Sequence, residues 1–226
     1  MFKLGIYKKC FNAVLDLLYP EEPVPTNLPL LEEPFCITCG EAFPGMIHTS
    51  FSCSNCQNRQ WAISRARSPY LAQGYVREVI HQFKYNRRFY RLPLLTTWLE
   101  EGYHRFYLAG EIDVLVPVPL HKSRLKWRGF NQAEEMGKML SKKISLPVWN
   151  GLHRIRKTQI QTYLQREERL QNLEGAFAVH PRFDFKGKKV LLLDDVFTTG
   201  ATADACARAL REAGAKDVAV LTVARG

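Results

Sequence analysis

The segment that most constrains the fold of this 226-residue chain is Val190–Thr202, VLLLDDVFTTGAT. Four apolar residues lead straight into two adjacent carboxylates, and a turn rich in Thr and Gly follows before an expected helix. Val190–Leu193 is short, apolar and without period-2 alternation, so it reads as a strand buried on both faces. Asp194 and Asp195 then fall at that strand's carboxyl end, where ligands bind in open α/β sheets. Thr198, Thr199, Gly200, Ala201 and Thr202 offer small side chains, hydroxyls and backbone N–H groups at a helix start, the means by which proteins cradle a phosphate.

Neighbouring carboxylates repel each other unless a donor or a cation satisfies their lone pairs. A vicinal diol supplies two donors, so a sugar phosphate would satisfy both halves of the segment, its hydroxyls on the acids and its phosphate in the turn. A buried strand ending in an N-cap aspartate and a tight turn is the plainer alternative. It accounts for one Asp and one Gly, but not for a doubled acid followed by hydroxyl or Gly residues at four of five positions.

Charge and length set the rest of the frame. The chain is long enough for one well-buried domain with a small appendage. Its hydrophobic stretches are too short to span a membrane. Ile6–Tyr19 is interrupted by Lys8, Lys9, Asn12 and Asp16 and has no cleavage-site pattern after it, so a cytoplasmic location is expected. Of the net charge of +10, +8 falls within residues 122–169. That concentration points to a polyanionic partner, either a phosphorylated ligand or a nucleic-acid backbone. Lys138, Lys142 and Lys143 fit a solvated helix face instead.

Four of the six cysteines form two knuckles, Cys36-x-x-Cys39 and Cys53-x-x-Cys56. The spacing suits four thiolates on one tetrahedral Zn²⁺, and a reducing cytosol favours this over disulfides. A redox dithiol is the rival, although one pair would suffice for it. Cys10 and Cys206 read as packed small hydrophobes, and His48 as a surface-loop residue. The expected organisation is therefore an amphipathic helix and Pro/Glu linker over 1–34, a zinc ribbon or knuckle module over 35–60, and an α/β domain over 61–226.

Within that domain Tyr70–Tyr85 and Phe89–Tyr107 read as helices. Asp113–Pro119 reads as a second apolar strand that opens into a polar, basic loop holding His121, Lys122, Arg124, Lys126, Arg128 and Asn131. A helix follows from Gln132 to Ile144. Strand, loop and helix recur around Asp195, with helix Ala203–Ala213 and strand Asp217–Val223, which is the mark of a doubly wound parallel sheet. Residues 153–177 are polar and basic and fit a mobile hood carrying Arg154, Arg156, Lys157, Gln159 and Gln161, with a helix over about 166–173. No chemical role is read from Trp127, Phe130 or Tyr163, although exposed aromatics among cations can stack bases.

Val190–Thr202 closely resembles the phosphoribosyl pyrophosphate (PRPP) motif of type I phosphoribosyltransferases. That resemblance implies Asp194 and Asp195 on the ribose hydroxyls and Thr198, Thr199, Gly200, Ala201 and Thr202 on the 5′-phosphate, with Mg²⁺ accompanying PRPP. The paired knuckles, VPVPLHKSRLKWRGFNQA, RKTQIQTYLQREERLQNLEGAF and the PRPP motif, in this order, resemble the ComF/GntX family from Cys36 to Arg225. The resemblance implies a pyrophosphate-facing basic block (His121, Lys122, Arg124, Arg128, Asn131, Gln132) and a flexible hood (Arg156, Gln161, Arg166). It also implies a part in natural competence, with single-stranded DNA and competence proteins such as a DNA helicase or translocase as partners. One departure bears on the acceptor. Transferases for 6-oxopurines commonly carry an aspartate where this chain has Thr198, which argues against hypoxanthine or guanine. Three readings follow: a phosphoribosyltransferase of open acceptor, a non-catalytic DNA adaptor on the same fold, and a PRPP-responsive regulator.

Overall fold

The computed structural model describes residues 23–43, 45, 51–156, 173 and 175–226. The expected N-terminal helix, His48, and hood residues Lys157, Gln159, Gln161 and Arg166 lie outside them. Five strands build the central parallel sheet: β1 (Ala66–Arg67) with β2 (Tyr70–Leu71) in one row, β3 (Val114–Pro117), β6 (Lys189–Phe197) and β7 (Asp217–Arg225). The spatial order is β1-β7-β6-β3, with β2 continuing the β1 row along β7. A parallel bridge from Leu115 to Val148 extends the β3 edge. β4 (Leu152–Arg154) and β5 (Phe177–Val179) form a separate antiparallel ribbon.

The centre of the sheet follows from its residues. Val190, Leu191, Leu192 and Leu193 are all fully buried, and they alternate between two cores. Val190 and Leu192 face the core shared with α6 (Ala201–Glu212), while Leu191 and Leu193 face the core of α2 (Gly74–Asn86), α3 (Leu92–Phe106) and α5 (Gln132–Ile144). A strand covered on both faces has no solvent side to carry polar residues, hence the unbroken apolar run. Burying each such side chain contributes about 1.5–3 kcal/mol. The chain is thus an α/β protein with helices on both sides of a parallel sheet, and its buried four-cysteine cluster shares the first of these cores.

Several element boundaries differ from expectation. Tyr70 and Leu71 do not begin a helix. They pair in parallel register with Ala224 and Arg225, Ala72 N–H donates to Arg225 O, and α2 starts only at Gly74. The expected loop after β3 folds into a short helix, α4 (Lys122–Arg128). β6 does not stop at Leu193 but runs on through both aspartates to Phe197, because β7 is long enough to pair Val196 with Ala224 and Phe197 with Arg225. The end of the expected linker also joins the fold: Leu31 N–H donates to Pro69 O, and Leu71 N–H donates to Pro29 O.

Candidate functional site

At the carboxyl end of the sheet lies a cleft of about 530 Å³. One wall is β6 and the turn after it: Asp194, Asp195, Thr198, Thr199, Gly200, Ala201 and Thr202. Opposite stand Arg124 and Arg128 of α4, Gln132 at the start of α5, and Arg154 of β4. The end of α2 adds Lys84 and Tyr85. The two sequence-predicted loops therefore do face each other.

Asp195 is 3% exposed. Its Oδ1 accepts an ion-pair contact from Lys84 Nζ at 2.8 Å, whereas its buried Oδ2 has no hydrogen-bond partner among the described residues. Asp194 is half-buried, and its side chain accepts from Asp195 N–H at 2.9 Å. Burial, with the neighbouring Asp195 charge, pushes the Asp194 pKa up to about 7, and Lys84 and Arg128 act against the rise. Burial would lower Lys84, but the Asp195 and Asp194 carboxylates more than compensate and hold its pKa above the ordinary value. The site thus keeps one buried acidic oxygen without a donor among the described residues, on a residue that lines the cleft. That is a seat for a hydroxyl donor or a hard cation.

The turn is set by Gly200, whose φ of +73° makes it the N-cap of α6. A Cβ there would lie 2.5 Å from Phe197 Cζ and 2.7 Å from Trp61 Cη2. Conformation and crowding together exclude any larger residue. The first N–H groups of α6 have no intrahelical acceptors and carry the positive end of the helix dipole. An anion in the cleft would meet these donors on one side and a cationic wall on the other. Arg128 is 7% exposed, donates through Nη1 to Gln132 Oε1 at 2.6 Å, and has its Nε without a partner among the described residues. Burial first, and the Arg124 charge after it, depress the Arg154 pKa.

The remaining basic-block residues take other places. His121 Nδ1 accepts from Ser123 N–H at 3.2 Å and caps α4. Asn131 caps α5, its Oδ1 accepting from Ala133 N–H and its Nδ2 donating to Val118 O. Lys122 is exposed, and Arg156 is exposed at the end of the described ribbon. None of these four lines the cleft. Lys84, Tyr85 and Trp127 were missed by sequence reasoning as site residues. Lys84 occupies an ordinary amphipathic helix, and its place in the cleft arises only because α2 ends beside β6. A lysine among aromatics at a helix end is the sole signal it offered.

The four cysteines form a second centre. Cys36, Cys39, Cys53 and Cys56 are buried, with their sulfurs within 4.8 Å of one another. Four tetrahedral sulfurs with bonds of about 2.3 Å to one ion stand about 3.8 Å apart, and Cys39 Sγ lies 3.7 Å from Cys53 Sγ. The donor set fits a structural metal such as zinc. Gly40, at φ +67°, closes the first knuckle, since a Cβ there would meet Ala66 O at 2.7 Å. Burial raises the Cys39 thiol to about 11 and lifts Cys56 further. A bound cation would offset that penalty on the thiolates.

Residues 106–226 match the family model described as "Phosphoribosyl transferase domain", and the chain belongs to this family. It is 29% identical over 202 residues to "Competence protein F" of Haemophilus influenzae, covering 85% of each chain. It is 28% identical over 222 residues to "Competence protein ComFC" of Bacillus subtilis, covering 93% of this chain and 88% of the relative. "DNA utilization protein YhgH" of Escherichia coli K12 is 33% identical over 152 residues, or 65% of this chain and 66% of the relative. The chain is a ComF-like protein with the phosphoribosyltransferase fold and an N-terminal four-cysteine cluster.

Proposed function

We propose that this protein binds PRPP together with Mg²⁺ in the cytoplasm and transfers the phosphoribosyl group, releasing pyrophosphate, as part of DNA handling in natural transformation. The observation that carries the reading is the buried, unpartnered Asp195 Oδ2 beside a glycine-set helix N-terminus, faced across one cleft by Arg124, Arg128 and Arg154. Asp194 and Asp195 accept from the ribose 2′- and 3′-hydroxyls, and the 198–202 turn takes the 5′-phosphate. Arg124, Arg128 and Gln132 stabilise the leaving pyrophosphate as the bond at C1 lengthens. The hard oxygens of the two aspartates fit Mg²⁺, which when bound offsets charge on the pyrophosphate. Holding ribose and leaving group on opposite walls supplies orientation. The names of the competence and DNA-utilization relatives support the biological setting. No helix among the described residues is long and apolar enough to cross a membrane.

Titration calorimetry with PRPP and Mg²⁺ tests the reading. One binding event per chain is expected, lost in the double variant Asp194→Asn/Asp195→Asn. Equal binding by that variant refutes the assignment.

A second reading is favoured by one surface. Tyr85 and Trp127 are 49% and 62% exposed with ring centroids 6.1 Å apart, and Arg87, Arg88 and Lys126 are exposed around them. Aromatic faces among cations hold single-stranded nucleic acid by stacking and phosphate contact. On this reading the protein is a DNA adaptor that retains the fold without turnover. Binding of single-stranded DNA that falls with salt and weakens in Trp127→Ala, with no pyrophosphate released from PRPP, would favour it.

A further inference from the structure

The four-cysteine module reaches the 198–202 turn by two separate routes. Cys56 lies in the one-turn helix α1 (Ser54–Gln57), and Arg59 N–H donates to Cys56 O at 3.3 Å. From there the Arg59 side chain crosses to the other end of the chain. Its Nη1 donates to Thr199 O at 3.3 Å and its Nη2 pairs with Asp204 Oδ2 at 3.1 Å. The guanidinium lies 3.5 Å over the Trp61 ring, whose edge, together with Phe197, closes the space at Gly200. Ala62 N–H and Arg208 complete the hold on Asp204, which is 3% exposed.

The second route leaves the other knuckle. Glu41, two residues after Cys39, pairs with Arg225 Nη2 at 3.5 Å. Arg225 Nη1 donates to Phe197 O at 3.2 Å, and its guanidinium lies 5.4 Å from the Phe197 ring centroid. The two arginines therefore hold the carbonyls of Phe197 and Thr199, the residues on either side of Thr198. These carbonyls fix the peptide planes of the turn, and hence the direction of the N–H groups that would meet a phosphate. A module that merely stabilised the fold could pack anywhere on the sheet. This one is wired to the backbone of the turn.

We propose that Arg59 and Arg225 are positioning residues that set the 198–202 turn for its anion, so that integrity of the four-cysteine centre and affinity at the turn are linked. The linkage is reciprocal: whatever orders the turn also tightens the cysteine centre. The consequence for the anion rests on the PRPP reading above, but the mechanical coupling does not.

Hydrogen exchange of the backbone amides of residues 198–204 reads the coupling without any ligand. Arg59→Leu is expected to speed exchange there about tenfold or more, since it removes the charge-assisted hydrogen bond to Thr199 O and the pairing with Asp204. It should leave exchange in 190–193 and 218–222, and the metal content, unchanged. Arg65→Leu, which breaks an ion pair to Glu111 away from the turn, should not alter exchange in 198–204. Cys53→Ser should reproduce the Arg59→Leu pattern, and PRPP affinity should fall about tenfold in Arg59→Leu. If Cys53→Ser fails to fold, exchange in 198–204 of wild type treated with a zinc chelator takes its place, and unchanged exchange there overturns the link to the cysteine centre. Unchanged exchange at the turn in Arg59→Leu overturns the proposal. Faster exchange at the turn in a protein whose wild type binds no PRPP would keep the coupling and sink the PRPP reading.

Discussion

Replacing Lys84 by Met tests whether the acid pair is held ready by a buried cation. At 2.8 Å and an effective dielectric of about 20, the Lys84–Asp195 attraction is about 6 kcal/mol before desolvation is subtracted. Removing one partner of a buried pair typically costs about 3–5 kcal/mol. Lys84 keeps 20% of its side chain exposed, so the lower end, about 3 kcal/mol, is expected. At about 2–4 °C per kcal/mol for a domain of this size, Tm should fall by about 6–12 °C. The cost should depend on pH in a definite sense. Asp194 already has a folded pKa of about 7, above its unfolded value of about 3.9. A group raised in this way stabilises the fold fully at pH below its unfolded value, and that stability is lost as pH rises through the folded value. Lys84 holds the Asp194 pKa down, so without it Asp194 keeps its proton more firmly, and the deficit should be largest above about pH 7 and shrink toward about pH 5. Circular dichroism melts of wild type, Lys84→Met, Asp195→Asn and the double variant give the coupling energy, expected at about 2 kcal/mol or more. Additive single effects, or a deficit that does not change with pH, would refute the reasoning.

Three further outcomes are expected. Gly200→Ala should lose about 2–3 kcal/mol, since a Cβ at φ +73° meets both Phe197 and Trp61; scanning calorimetry showing no loss would mean the turn has room that the geometry denies. Atomic absorption should find one zinc per chain, lost in Cys53→Ser; wild type free of metal after purification and zinc titration would remove the cluster's assignment. PRPP affinity should rise with pH through about 7, because the ionised Asp194 carboxylate is the stronger acceptor for a ribose hydroxyl. Calorimetry below that pH, in two buffers of different ionisation heat, should give different observed heats because a proton is released to the buffer, and equal observed heats would contradict it.

The parts legible in the sequence were those written as local pattern. Val190–Leu193 announces a doubly covered strand because every residue of the run must be apolar. The cysteine spacing announces one cluster because four ligands on two short turns have few other ways to satisfy themselves. What escaped was set by partners far away in sequence. β6 runs past the acids only because β7 offers Ala224 and Arg225 to pair with. Tyr70 and Leu71 read as helix by composition and became strand because β7 had an open edge. Lys84 joined the acids through the docking of α2, and Arg59 reached Thr199 across 140 positions of sequence. His121 and Asn131 read as ligand-facing polar residues, while the structure uses both as helix caps.

The most direct test is a crystal structure of the protein with PRPP and Mg²⁺. The 5′-phosphate should lie against the backbone N–H groups of the 198–202 turn, with the ribose hydroxyls within hydrogen-bond distance of Asp194 and of Asp195 Oδ2. The pyrophosphate should face Arg124 and Arg128. A cleft that stays empty at saturating PRPP, or PRPP bound away from Asp194 and Asp195, would contradict the account.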